Sequence, residues 1–307
     1  MNYTLHQLRI FLKVVEFESI TKASKHLYLT QPAVSIQLKK LQEQFEIPLT
    51  EVIGRKLFIT DFGQEIAVRS RRILEETEGI RYVVDQYKGK LSGKIKISVV
   101  STGKYVIPYF LKPFIDQYPG VEISINVSNR NQVVQGLYDN DSDFSLLSIM
   151  PEGINVQNIP LMENILVLVG SSQATEDIKR LKDLEKVTLL YREDGSATRK
   201  KMEDYLAENK VKVSKSMGLV SNEAVKQAVN AGLGYSIMPL IGLQSSLINN
   251  SIKIVPLKGL PLVTEWNLIY SNDKRLTPAQ QALVDFIKES KEGTISKYFE
   301  WFKKYTK

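Results

Sequence analysis

The polar chemistry most open to interpretation lies in one short segment, Thr30-Gln31-Pro32-Ala33-Val34-Ser35-Ile36-Gln37-Leu38-Lys39-Lys40-Leu41. Counted at about 100° per residue from an apolar stripe led by Val34, the outward positions are Pro32, Ile36, Lys39 and Lys40, with Ser35 at the flank. Thr30 stands where a hydroxyl can cap the helix, and Pro32 falls in its first turn, where a missing N–H costs nothing. A helix entering a major groove needs short polar groups for base edges and cations for phosphates. Ile36, outermost of all, could touch a thymine methyl. The same pattern also suits a plain amphipathic helix in a three-helix bundle, and the pattern alone does not separate the two.

Other chemistries find little support. The chain of 307 residues has no cysteine, which excludes disulfides and thiolate chemistry. Two isolated histidines, His6 and His26, make a His/Cys metal site a poor expectation. No Gly-x-Ser-x-Gly elbow and no Walker loop occur, and Gly232-x-Gly234 lacks the third glycine and following helix of a dinucleotide fingerprint. No cofactor is expected. The longest purely aliphatic run, Ile165 to Val169, is far short of the roughly 20 residues a bilayer requires. The N-terminus lacks the basic-then-apolar layout of a secretory signal, so a cytoplasmic protein with no membrane partner is the expectation. The formal charge is +7, concentrated at the ends. Residues 1–60 hold eight Lys/Arg against five Glu, and residues 291–307 hold five Lys against two Glu. That excess permits a phosphate-binding surface without establishing one.

The elements that must position these groups can be read from periodicity. Leu5, Leu8, Phe11, Leu12 and Val15 recur as on an amphipathic helix. Thr21 is expected to cap a short second helix, Lys22 to Leu27, and Tyr28-Leu29 to turn the chain into the helix described above. Two short helices so joined make a helix-turn-helix. Ile47 to Thr60, with Pro48 and Gly54 as breakers, reads as a small hairpin or wing. Residues 62–88 read as one long helix on which Ile66, Ile73, Ile80 and Tyr87 recur every seven residues, supplemented by Val83 and Val84. A narrow seam of that kind asks for a second helix, so a homodimer, with assembly to a tetramer beyond it, is expected. Past residue 91 strands and helices alternate, which predicts an α/β domain with largely parallel sheets and a closing helix over Pro278 to Ser290.

Residues 5–63 resemble the DNA-binding domain of the LysR-type transcriptional regulators. The stretches that carry the resemblance are LHQLRIFLKVVEFESITKASKHLYLTQPAVSIQLKKLQEQFEIPL and the following ITDFG, with TQPAVSxQLKKL the most specific part. It extends through the linker helix and the effector domain. The resemblance implies a winged helix-turn-helix over 1–60, a dimerising linker helix over 61–90, and a two-subdomain α/β effector domain over 91–307. Subdomain I would take about 91–162 and 266–290, subdomain II about 163–265, and a basic tail 291–307. Gln31, Pro32, Ser35 and Ile36 match positions that commonly meet DNA in the family. Ile36 often has an arginine counterpart there, which implies one polar base contact fewer here. The wing reads Pro-Leu-Thr-Glu-Val where the family usually has Pro-Leu-Phe-x-Arg, leaving Arg55 and Lys56 for phosphates.

The family's C-terminal domain resembles periplasmic solute-binding proteins, whose two lobes are joined by crossing strands, here near Ile165–Val169 and Trp266–Tyr270. The pocket between the lobes matches Ser101-Thr102, Asn129-Arg130, the Arg192 to Arg199 loop and Ser221-Asn222. Hydroxyls and free N–H groups at helix starts suit carboxylates or phosphates, although each residue taken singly also fits a simple helix cap. STGKYVIPYFLKPF and VSNRNQVVQGL look most like regulators of carbon-fixation genes, whose effectors include phosphorylated metabolites. The expected partners are therefore double-stranded DNA, a small anionic effector and a second copy of the chain, with RNA polymerase a further candidate. The rival reading is an α/β enzyme or solute-binding protein with an adventitious helical N-terminus. The missing nucleophile motif and signal peptide weaken it.

Overall fold

The computed structural model describes every residue except 1, 55, 89, 306 and 307, and of residues 81, 83 and 85–87 it describes only the backbone. Arg55 and the side chains of Val83 and Tyr87, expected in the wing and the seam, thus lie outside the described residues. The chain forms two compact units, residues 1–90 and 91–307.

The first unit begins with α1 (Leu5–Phe17), α2 (Ile20–His26) and α3 (Gln31–Gln42). Thr4 and Gln7 cap α1 reciprocally, side chain to backbone in both directions. Ser19, not Thr21, caps α2, its hydroxyl accepting the Lys22 N–H at 3.3 Å. The helix starts two residues earlier than expected because Ser19 holds an extended backbone and Ile20 already packs against the core. Strands β1 (Thr50–Ile53) and β2 (Lys56–Ile59) pair antiparallel around Gly54, whose φ of 67° suits glycine. Helix α4 (Asp61–Tyr87) follows. The Thr60 hydroxyl accepts the Gly63 N–H at 2.9 Å and donates to the Pro48 carbonyl at 2.6 Å, tying the wing to the helix start. A Cβ on Gly63 would collide with the Leu49 carbonyl oxygen, so only glycine admits this approach. Leu8, Ile10, Phe11, Val14, Val34, Leu41 and Leu49 close the core, each at most 2% exposed.

The second unit runs β3 (Gly93–Val100), α5 (Ile107–Gln117), β4 (Val121–Ser128), α6 (Arg130–Tyr138), β5 (Phe144–Leu147) and the long β6 (Val156–Ser171). It continues through β7 (Thr188–Arg192), α7 (Ala197–Glu208), β8 (Lys215–Leu219), α8 (Asn222–Asn230) and β9 (Ser236–Pro239). Then come α9 (Gln244–Ile248), β10 (Ile252–Ile254), β11 (Leu262–Ser271) and α10 (Pro278–Phe299). The main sheet has the order β10-β6-β11-β5-β3-β4, with β9 also on β6. Helices α5 and α6 make the crossovers that let β4, β3 and β5 pair in parallel. β6 and β11 instead pair antiparallel from Val156↔Ser271 to Leu166↔Leu262, and β11 pairs antiparallel with β5. The sheet is therefore mixed, against the expectation of largely parallel pairing. Because β11 returns along β6 from the second lobe, no crossover aligns the two. A separate parallel pair, β7 with β8, builds the second lobe's edge.

The expected basic tail is no tail. Helix α10 runs on to Phe299, and a short 3₁₀ turn over Glu300–Lys304 completes the domain. Phe299 and Phe302 are buried, and the Phe299 ring lies 5.3 Å from Tyr109 and 6.1 Å from Phe110. These aromatics recur at helical spacing among the lysines that suggested a solvated end, and their burial decides the matter. Phe299→Ala in the full chain should lower the stability of this unit by about 3–5 kcal/mol in urea unfolding, as expected for deletion of a buried aromatic. A loss under about 1 kcal/mol would return the segment to the status of a tail.

Candidate nucleic-acid interface and effector cleft

On α3 the inward stripe is Val34, Leu38 and Leu41, all buried. The Thr30 hydroxyl accepts the Ala33 N–H at 3.4 Å, and Pro32 lies in the first turn. Gln31, Pro32, Lys39 and Lys40 are exposed, Ser35 is half-buried, and Ile36 is 54% exposed. The helix thus presents short side chains near its N-terminus and two cations in its last turn, on the face away from the core. One neighbour was missed by sequence reasoning. Tyr28 in the turn before α3 has φ of 54° and is 96% exposed, so its ring stands free beside the helix. Among its described residues the wing exposes Lys56 and Glu51 beside the apolar Val52, Ile53 and Phe58.

Along α4 the heptad positions divide. Ile66 and Leu74 pack against the winged-helix core, so Ile66 is partly covered within its own unit. Ile73, Ile80 and Val84 stay exposed, at 38%, 67% and 49%.

In the second unit five of the expected cleft residues line one small cavity: Ser101, Thr102, Asn129, Arg130 and Arg192. Ser101 and Thr102 follow β3, and the Asn129 side chain caps α6 by accepting the Gln132 N–H at 2.9 Å. Ser196 caps α7, so two helix N-termini, α6 and α7, open on the same space. Arg192 ends β7 at 5% side-chain exposure, with Nε and Nη2 donating to the Glu193 carboxylate at 2.7 and 2.6 Å. Nη2 also donates to the Ser101 hydroxyl at 2.9 Å, which ties the second lobe to the first. Gly195, with φ of 79°, passes close to the Asn131 side chain of the first lobe. Arg130 donates through Nη2 to the Met150 carbonyl at 3.3 Å, while its buried Nε has no partner. The space left is about 20 Å³, room for a single water.

Three expected residues do not join them. Arg199 is held by Glu203 at 2.7 Å and Asp194 at 2.9 Å, and it donates to the Arg192 carbonyl. A carboxylate one turn along its own helix has taken it. Ser221 caps α8, accepting the Ala224 N–H at 3.0 Å. Asn222 is 2% exposed with both side-chain polar atoms unpartnered, and it lies beside Gly242 rather than in the small cavity. Ser148 lines the cavity from outside every expected stretch, whereas Glu193, Ser196 and Thr198 belong to the expected Arg192 to Arg199 loop without being named individually. Ser196 carried a legible signal as a cap before α7. Glu193 did not, because alternation along a strand puts neighbours on opposite faces, and only the end of β7 at Arg192 frees it to turn back.

Two larger depressions open elsewhere on the domain, about 370 Å³ between β4 and α6 and about 530 Å³ beside β10, and neither is lined by an arginine. Among the described residues no helix is long and apolar enough to cross a membrane, and no group of His, Cys, Asp or Glu could hold a metal ion.

Comparison with known proteins places both units. Residues 5–64 match the model for the bacterial regulatory helix-turn-helix protein, lysR family, and residues 88–292 match the LysR substrate binding domain. The transcriptional activator CmpR of Synechocystis is 36% identical, covering 93% of this chain and 95% of its own. The RuBisCO operon transcriptional regulator of Allochromatium vinosum is 33% identical over 94% and 96%. Among solved structures, the regulatory domain of Synechocystis CcmR in complex with 2-PG superposes with a TM-score of 0.60 at 26% identity, covering 66% of this chain and 98% of that one. These relatives include the carbon-fixation regulators that the effector-domain motifs resembled. With both family models and full-length relatives in agreement, the chain belongs to the LysR family of DNA-binding transcriptional regulators and is a regulator, not an enzyme.

Proposed function

We propose that this regulator binds a partly palindromic duplex as a dimer, reads bases with Gln31, Pro32, Ser35 and Ile36, and answers to a small phosphate-bearing anion held between its effector lobes. The observation that carries the effector reading is the convergence of two helix N-termini, the hydroxyls of Ser101 and Thr102, and the partly unpartnered Arg130 on one cavity. Donors at helix starts favour negative charge, and an arginine fork adds direction. The CcmR domain bound to 2-PG supports the same class of ligand at a domain of the same fold. A cavity of about 20 Å³ admits no such molecule until the lobes part. Effector binding is then a shift between closed and open arrangements, as large as the ligand's differential affinity for the two. RNA polymerase, the remaining partner expected of such a regulator, has no surface assigned to it.

Three measurements test these assignments. Ile73→Asp with Ile80→Asp should give monomers or aggregates in light scattering, because the exposed seam of α4 is what a second helix covers. A double variant that stays dimeric on DNA would move the interface elsewhere. On DNA, Ser35→Ala and Ile36→Ala should alter base preference by roughly 1–3 kcal/mol at a contacted position. Lys39→Ala and Lys40→Ala should weaken all sequences alike and flatten the salt dependence, by about one unit of slope for each phosphate that is no longer neutralised. Equal effects of all four on specific and random DNA would contradict the placement of α3. In the cleft, 2-PG at about 100 times its Kd should stabilise the protein by roughly 2.7 kcal/mol in thermal unfolding. Thr102→Val and Arg130→Ala should each shrink that gain and leave ligand-free DNA affinity nearly unchanged. If both variants respond like the parent, the anion binds at another site.

A further inference from the structure

An acidic side chain in the wall of an anion pocket calls for an explanation. Glu193 holds the Arg192 guanidinium by two parallel charge-assisted hydrogen bonds, 2.7 and 2.6 Å, the strongest geometry a carboxylate can offer an arginine. Together the two residues are neutral, so with the pair intact Arg192 presents little charge to a ligand. The partners differ in burial. Arg192 is 5% exposed and cannot be left without an anion, whereas Glu193 is 23% exposed and can turn to water. The cavity of about 20 Å³ leaves no room for a ligand oxygen beside the carboxylate. The third group on Arg192 is the Ser101 hydroxyl, at 2.9 Å from Nη2, which belongs to the opposite lobe. Whatever replaces Glu193 on this guanidinium therefore also acts on the contact that links the lobes.

We infer that Glu193 is a resident counter-anion, and that effector binding at this pocket is an exchange in which Arg192 passes from the Glu193 carboxylate to the anionic group of the effector. The inference rests on the cleft reading above and assigns Glu193 as the residue that sets its threshold. An incoming anion has to outdo a carboxylate that is already in place at an effectively intramolecular concentration. Weak and singly charged anions are thereby kept off Arg192. A phosphate group, with three oxygens and up to two charges, can take the guanidinium while still reaching Arg130 and the helix N-termini. Glu193 touches no ligand in the bound arrangement. It acts by occupying Arg192 in the free one.

The test is calorimetric titration of the full-length protein with 2-PG and with inorganic phosphate, comparing the parent, Glu193→Gln, Arg192→Met and the double variant. Glu193→Gln keeps the side-chain shape and removes the competing charge, so binding should tighten about tenfold or more. The tightening should vanish when Arg192 is already methionine. A Glu193→Gln variant that binds no better than the parent overturns the exchange. Tightening that persists in the Arg192→Met background also overturns it, since Glu193 would then act by repulsion at a distance. Should the Arg192 variants fail to fold, crystallography of the parent with 2-PG decides instead. Glu193 still on Arg192 with the ligand bound refutes the exchange, and Glu193 turned away upholds it. If the parent binds no 2-PG and no inorganic phosphate while Glu193→Gln binds either, the threshold stands at its extreme. If none of the proteins binds any anion, the cleft reading itself fails, an outcome distinct from the others.

Discussion

The effector domain depends on one ladder. β6 and β11 pair antiparallel from Val156↔Ser271 to Leu166↔Leu262, and the strands serve both lobes. Each lobe completes its own layer of strands and helices against a different stretch of this pair, β5 at one end and β9 and β10 along β6. The register slips between Trp266 and Asn267, beside a tryptophan that is fully buried. A bulge bends and twists its strand, so the crossing carries a local change of direction built into the backbone. The buried side chains on this pair also hold polar atoms without partners, on Asn164, Trp266 and Asn267. Such groups cost free energy in a core unless water or another polar group reaches them. The ends of β3 and β7, with Ser101 and Arg192, face one another because this ladder holds their lobes together.

Most of the first unit was legible because its signals are local. Thr30, Pro32 and the Val34 stripe specify α3 within twelve residues, and Gly54 and Pro48 bound the wing. The misplaced cap of α2 shows the limit of such signals. Ser19 and Thr21 are both acceptable caps by residue type, and the packing of Ile20 against the core goes with the earlier start. The seam on α4 was legible as a seven-residue repeat, but not its division, because Ile66 repeats like Ile73 and Ile80 while its partners in the winged-helix core lie far away in sequence.

In the second unit the element order was legible and the pairing was not. Alternating strands and helices imply crossovers and parallel neighbours, and nothing local marks β11 as a strand that returns beside β6. The C-terminal segment misled for a related reason. Its lysines are local and visible, whereas the burial of Phe299 and Phe302 depends on Tyr109 and Phe110 about 190 residues earlier. In the candidate cleft, residue types suggested which groups would suit an anion, but not how they are already engaged. Arg199 and Arg192 look alike in sequence. Glu203 satisfies one on an exposed helix face, and Glu193 satisfies the other in the wall of the cavity.

Helix α4 has a mechanical consequence. Its first turns complete the winged-helix core through Ile66, Ala67 and Leu74, and its later turns carry Ile80 and Val84 on an open face. The two jobs share one uninterrupted rod, with a rise of about 1.5 Å and a rotation of about 100° per residue. The helix therefore works as a ruler with an angular scale. Adding one residue between Leu74 and Ile80 would swing the reading helix around the rod by more than a quarter turn relative to anything seated on Ile80 and Val84. Adding four would nearly restore the phase and lengthen the reach by about 6 Å. In the dimer proposed above, seated on Ile80 and Val84, the spacing of DNA half-sites would be set by the length of this helix, as pitch is written into a screw.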